Sequence, residues 1–147
     1  MFRLYGILLL LLVSTSITAQ SRSGIYLAKP SLNAGAYHLI YKDTVRYYEL
    51  SDTPLIAYFY VDTIIKSKDK ETGKCKLLIK FSKVGQKMFG DITAGHLQQY
   101  LGFVVNNSLL AAPQIVEPIL GGTVAVNSDF SEQQVYELLQ EIKKLKQ

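Results

Sequence analysis

The sequence predicts an α+β fold: a mostly antiparallel β-sheet with two α-helices packed on one face. Three observations carry that prediction. Two stretches, beyond Ser82 and Glu132–Leu145, place apolar residues at helical spacing. The apolar runs Thr44–Leu50, Leu55–Ile65, Leu77–Phe81, Leu101–Val105 and Thr123–Val126 have strand length and strand-forming residues. Turn-rich connections join most of these runs, so successive strands return as hairpins and both helices back the same sheet.

The chain has 147 residues, enough for one domain of ordinary size. Residues 1–19 read as a signal peptide, with Phe2-Arg3 as the positive start, Ile7–Val13 as the apolar run and Ser14–Ala19 as the small-residue end. Cleavage is expected after Ala19, leaving Gln20 first. The apolar run is far short of the roughly 18–20 residues a span requires, although a retained anchor is the competing reading. Past Thr18 no segment is long and apolar enough to cross a bilayer, so the mature chain is expected to be exported, periplasmic or extracellular. The formal charge of +4 falls to +3 without Arg3, too mild for a nucleic-acid footprint. One cysteine, Cys75, has no disulfide partner, and the lack of cysteine pairs is compatible with a periplasm.

Residues 20–53 read as an N-terminal lead-in, partly strand, because Gly24, Pro30 and Gly35 interrupt any period before Thr44. Leu55–Ile65 is apolar on both faces. The tyrosines Tyr41, Tyr47, Tyr48, Tyr58 and Tyr60 crowd this half; they either roof the sheet or meet a partner. Lys66–Lys76 is a charged hairpin loop with Gly73 as its turn residue, and Leu77–Phe81 is the returning strand. Ser82 reads as an N-cap, and Val84, Met88, Ile92 and His96 recur every four residues as one helix face, with Phe89 beside them. Gly85 in the first turn costs about 1 kcal/mol against alanine, which points to a close approach there. In Leu101–Val105, Leu101, Phe103 and Val105 face one way. Asn106-Asn107 is a type I′ hairpin signal. Leu109–Ile115 pairs back, interrupted by Pro113. Ser131 and Gln134 form a capping box, and Val135, Leu138, Leu139, Ile142 and Leu145 form the buried stripe of the last helix.

The densest stretch is Leu109–Val126. An aliphatic strand, a tight turn at Asn106-Asn107, Ala111-Ala112-Pro113, Ile115, Glu117-Pro118, Gly121-Gly122, the small strand Val124–Val126 and Phe130-Ser131 opening a helix follow one another in fixed order. This order resembles the periplasmic P1 head of SecD, an accessory subunit of protein translocation. The likeness extends more weakly upstream, giving a head-like domain over residues 54–147. It departs at Asn106-Asn107, where the family usually has Asp-Gly. The resemblance implies a head that meets translocating or newly exported polypeptide. In that family the head rides on a base and on membrane helices that use the proton gradient; the chain shows neither, so proton-driven transport is not expected of it.

Chemistry is harder to find. His38 and His96 lie far apart and Cys75 has no base beside it, so no nucleophile–base arrangement or zinc spacing appears. Gly121-Gly122 lacks the Lys-Ser/Thr end of a phosphate loop. Glu117 and Asp129 are the remaining carboxylate pair, with nothing to fix their separation. The expectation is a non-catalytic binding module with no cofactor and no metal, whose partner is a polypeptide or a cell-envelope protein. Its candidate contacts are the loops holding Asn106, Asn107, Ala112, Pro113, Glu117, Gly121 and Gly122, where prolines and glycines leave backbone groups unpaired. A small exported hydrolase or ligand-binding protein reusing the fold is the alternative, and a fragment of a larger translocase a third.

Overall fold

The computed structural model describes residues 21–41, 43–71, 73, 75–127 and 130–147. The expected signal peptide, Gln20, Lys74 and Asp129 lie outside them. The elements in chain order are β1 (Gly24–Ser31), β2 (Tyr37–Tyr41), β3 (Thr44–Leu50), a 3-10 turn (Tyr58–Tyr60), β4 (Val61–Lys68), β5 (Cys75–Phe81), α1 (Lys83–Gly95), β6 (Tyr100–Val105), β7 (Ser108–Ala111), β8 (Thr123–Asn127) and α2 (Glu132–Leu145).

The fold is α+β with antiparallel pairing throughout, but the strands divide between two sheets. One has the order β2-β3-β1-β6-β7 and the other β4-β5-β8. The stretch read as a lead-in therefore supplies β1, the central strand of the larger sheet. Pro30 hid it. Pro30 sits opposite Tyr48 of β3, and β6 pairs with β1 only as far as Ala28, so the donor that proline lacks points past the end of β6. Leu55–Ile65 is not one strand either. Ile56 makes an isolated bridge to Ile25, the chain turns through Tyr58–Tyr60, and β4 begins only at Val61.

Both helices and both sheets meet in one core. Ile25, Leu101, Phe103 and Val105 from the larger sheet pack with Leu77, Ile79 and Val126 from the smaller one, and with Phe89, Val135, Leu138 and Ile142 from the helices. Phe81 stacks on Phe89 with ring centroids 4.5 Å apart. The alternation along β6 sends Val104 to the opposite face, where Tyr26, Ala28, Tyr48 and Leu109 make a second, smaller cluster with Tyr37 and Tyr100 at its margin. Four tyrosines thus roof the far side of the larger sheet, and the Arg22 guanidinium lies 4.5 Å above the Tyr26 ring.

Both helices begin as their sequences require. Ser82 Oγ accepts from the Gly85 N–H, and Ser131 with Gln134 completes a capping box. Their buried faces are narrower than the periodicity implied. In α1 the buried stripe is Gly85, Phe89, Gly90 and Thr93, while Val84 is exposed; in α2 Leu145 lies beyond the core. Gly85 sets the rotation of α1, since a Cβ there would stand 2.6 Å from the Tyr60 carbonyl oxygen. Val135, Leu138 and Ile142 of α2 each contribute roughly 1.5–3 kcal/mol by burial. No helix among the described residues is long and apolar enough to cross a membrane.

Candidate functional site

The sequence-predicted contact residues fall in two places. Asn106 and Asn107 form the tip of the β6–β7 hairpin, with φ of 47° and 64°, the left-handed pair a type I′ turn needs. The tip is tied to the start of β1. Asn107 Oδ1 accepts from the Arg22 N–H at 2.7 Å, the Asn107 N–H donates to the Arg22 carbonyl at 2.9 Å, and the Asn106 N–H donates to Ser23 Oγ at 2.9 Å.

Ala112, Pro113, Glu117, Gly121 and Gly122 lie in the connection from β7 to β8, which leaves from the other end of that hairpin. Ala112 is half-buried against the tyrosine cluster. Pro113 cannot donate, but its carbonyl accepts from the Leu101 N–H at 2.9 Å. Ile115 is buried; its N–H donates to Gln99 and its carbonyl accepts from Gln98, at 2.8 and 2.7 Å. The chain then crosses α1 as a strap. The Ile119 N–H donates to Thr93 Oγ1 at 2.9 Å, and Gln86 Nε2 donates to the Leu120 carbonyl at 2.8 Å. Gly90 allows this approach, since a Cβ there would lie 3.2 Å from the Leu120 side chain. Gly122, buried with φ +71°, turns the strap into β8, and its carbonyl accepts from the Phe81 N–H. Glu117 and Gly121 are exposed, and so are the large side chains Val116 and Leu120, at 68% and 67%. Their backbone is fixed while their apolar side chains face water, an arrangement suited to meeting another apolar surface.

A third place escaped the sequence reading. A cleft of about 660 Å³ opens between β2 and β7, with Gln134 of α2 on its wall. The signal was there in Tyr37–Tyr41, YHLIY, a strand-length apolar run between Gly35 and Asp43, which the lead-in reading passed over.

The titratable groups are dispersed. His96 closes α1, with Nδ1 2.8 Å from the Ile92 carbonyl, while His38 is exposed on β2. Cys75 is half-buried at the start of β5. Among the described residues no three His, Cys, Asp or Glu side chains cluster as metal ligands would. Tyr58 is fully buried and, among the described residues, its hydroxyl meets no hydrogen-bond partner in good geometry; burial pushes its phenol above the ordinary tyrosine range, and the nearby Val104 backbone offsets only part of that rise.

A family model described as the SecDF P1 head subdomain matches residues 37–144. The protein translocase subunit SecD of Rickettsia bellii is 38% identical over 58 residues, which is 40% of this chain and 11% of that protein. SecD of Syntrophobacter fumaroxidans is 26% identical over 89 residues, 60% of this chain and 17% of that protein. The matches therefore span about a tenth to a sixth of the length of these relatives. Two solved structures share the fold. SecDF described as a membrane component that enhances protein export superposes with a TM-score of 0.59 at 16% identity, over 84% of this chain and 63% of that one. SecDF in a super-membrane-facing form gives 0.54 at 21%, over 66% and 12%.

Proposed function

This chain belongs to the SecDF P1 head subdomain family, and from that premise we propose that it is an exported, non-catalytic module whose surface contacts a translocated or newly exported polypeptide, or a cell-envelope protein. The family makes it a module related to protein translocation. One observation supports a contact surface: the strap over α1 holds Val116 and Leu120 in water on a backbone anchored at Ile115 by Gln98 and Gln99 and at Ile119 and Leu120 by Thr93 and Gln86. A flexible loop would lose conformational freedom on meeting a partner; a strap already bonded at both ends loses less.

Site-specific photocrosslinking in intact cells tests the reading. Gly122 is a poor probe position because it is buried at positive φ, so the probes belong at Val116 and Leu120, with Lys70 of the charged β4–β5 loop as reference. The expected result is crosslinks to exported polypeptide or to an envelope protein from Val116 and Leu120, several-fold above Lys70. Equal labelling from all three positions would remove the proposal.

A further inference from the structure

We propose that the outer edge of β2 binds an extended, uncharged polypeptide segment of about five residues as an added antiparallel strand. The proposal rests on the polypeptide-contact reading above and names a site and a mode for it.

The backbone carries the first part of the case. Among the described residues β2 ends the larger sheet and pairs only with β3. Tyr41 and Thr44 face each other across a two-residue connection, so they form a hydrogen-bonded pair, as do Leu39 with Arg46 and Tyr37 with Tyr48. His38 and Ile40 therefore aim their N–H and C=O groups away from β3. The opposite side of β3 agrees: Tyr48 spends its backbone groups on β2, and the residue facing it from β1 is Pro30, which has no N–H to give. Nothing among the described residues bonds the outward groups of His38 and Ile40.

The side chains carry the second part. Unpaired edges are ordinarily blunted by lysine, proline or a bulge. In this molecule β4 follows that rule, with Lys66, Lys68 and a register shift between Val61 and Thr63. The outward residues of β8, Thr123 and Ala125, are small. Among the described residues β2 has no such guard. Ile40 is 69% exposed, its cross-strand neighbour Val45 is 45% exposed, and Leu32 is fully exposed in the preceding turn. The described residues that line the cleft beside β2 carry no formal charge, which favours neutral segments over acidic or basic ones.

Strand parity supplies the direction. Four successive antiparallel pairings across five strands leave the two edge strands, β2 and β7, running parallel to each other. Their Cα atoms come within 8 Å, yet among the described residues no ladder joins them. The sheet cannot close on itself in the antiparallel mode it uses everywhere else, whereas an added strand antiparallel to β2 continues that mode. A strand between two neighbours needs about 10 Å, more than this gap allows, so the guest pairs with β2 alone and seats only as the rim of β7 is displaced outward.

The test uses the full chain, labelled with nitrogen-15, and an end-capped eight-residue probe of alternating Val and Thr. Addition of the probe is expected to slow amide exchange at His38 and Ile40 at least tenfold. A probe N-methylated at its two central residues, which spoils both of its edges, is expected to lose binding; methylation at the two terminal residues is not. Ile40→Lys, at an exposed position, is expected to weaken binding at least tenfold without unfolding the chain. Equal binding of both methylated probes would overturn the proposal. So would protection confined to Val116–Leu120, which would leave polypeptide contact standing but move it off β2. Slow exchange at His38 and Ile40 without probe, rising with protein concentration, would assign the edge to a second copy instead. Failure of every probe to bind, alongside positive crosslinks from the strap, would overturn the β2 site alone; failure of both experiments would remove the function with it.

Discussion

Gly85→Ala puts the packing of α1 to a quantitative test. In a helix interior alanine is favoured over glycine by about 1 kcal/mol, so propensity alone predicts stabilisation. The structure predicts the reverse. The new Cβ would stand 2.6 Å from the Tyr60 carbonyl oxygen, 2.9 Å from Tyr60 Cβ and 3.2 Å from Phe81 Cβ. That oxygen already accepts from the Ser82 N–H at 2.9 Å, so it cannot retreat without breaking the bond that seats the helix cap. Overpacking against backbone costs about 3 kcal/mol, the upper end of its usual range. Subtracting the propensity gain leaves a loss of about 2 kcal/mol, which lowers the melting temperature by roughly 4–8 °C in a chain of this size. Gly95→Ala is the matched control, because nothing lies within 4 Å of its would-be Cβ; it should be neutral or slightly stabilising. Urea titrations followed by circular dichroism measure both. If Gly85→Ala proves as stable as the parent, the contact with Tyr60 does not set the rotation of α1, and the placement of the strap loses its physical basis.

Two further predictions concern buried polar atoms. Thr93→Val keeps the side-chain shape but leaves the Ile119 N–H without its acceptor, so stability should fall by about 1–3 kcal/mol and proteolytic cleavage near Val116–Leu120 should accelerate; an unchanged cleavage rate would show that Thr93 does not hold the strap. Tyr58 is held protonated by burial, so its folded pKa lies above the ordinary 10.0. The unfolded chain ionises this phenol first, and the stability it contributes is complete below pH 10 and lost as the pH climbs above it, by about 1.4 kcal/mol at pH 11. Tyr58→Phe removes that share of the alkaline loss in urea titrations at pH 9 and pH 11; equal losses in both proteins would refute the assignment.

Local signals were legible wherever the deciding interaction lies close in sequence. The caps at Ser82 and Ser131, the Asn106-Asn107 turn and the alternation of Leu101–Val105 each depend on residues within a few positions of one another. Gly85 announced its own tight contact, though not that the contact is Tyr60. What escaped depends on distant partners. Pro30 suppresses a strand reading unless one knows that the pairing of β1 with β6 ends at Ala28. Val84 and Leu145 match the helical period but fall outside cores whose width is set by neighbouring strands. The division into two sheets hinges on the turn at Tyr58–Tyr60, whose aromatic residues look like strand. For the candidate site, the prolines and glycines of the β7–β8 connection stood out in the sequence, while the cleft beside β2 arises only where β2 and β7, far apart in the chain, come together.

The tie between Arg22 and Asn107 has a mechanical consequence. β1 lies between β3 and β6, and its entry is bonded to the far tip of the β6–β7 hairpin. A tension applied at Ser21 along the axis of β1 acts parallel to both flanking ladders. Their hydrogen bonds then share the load together rather than opening one after another, and the strand through which the chain enters becomes the one hardest to draw out.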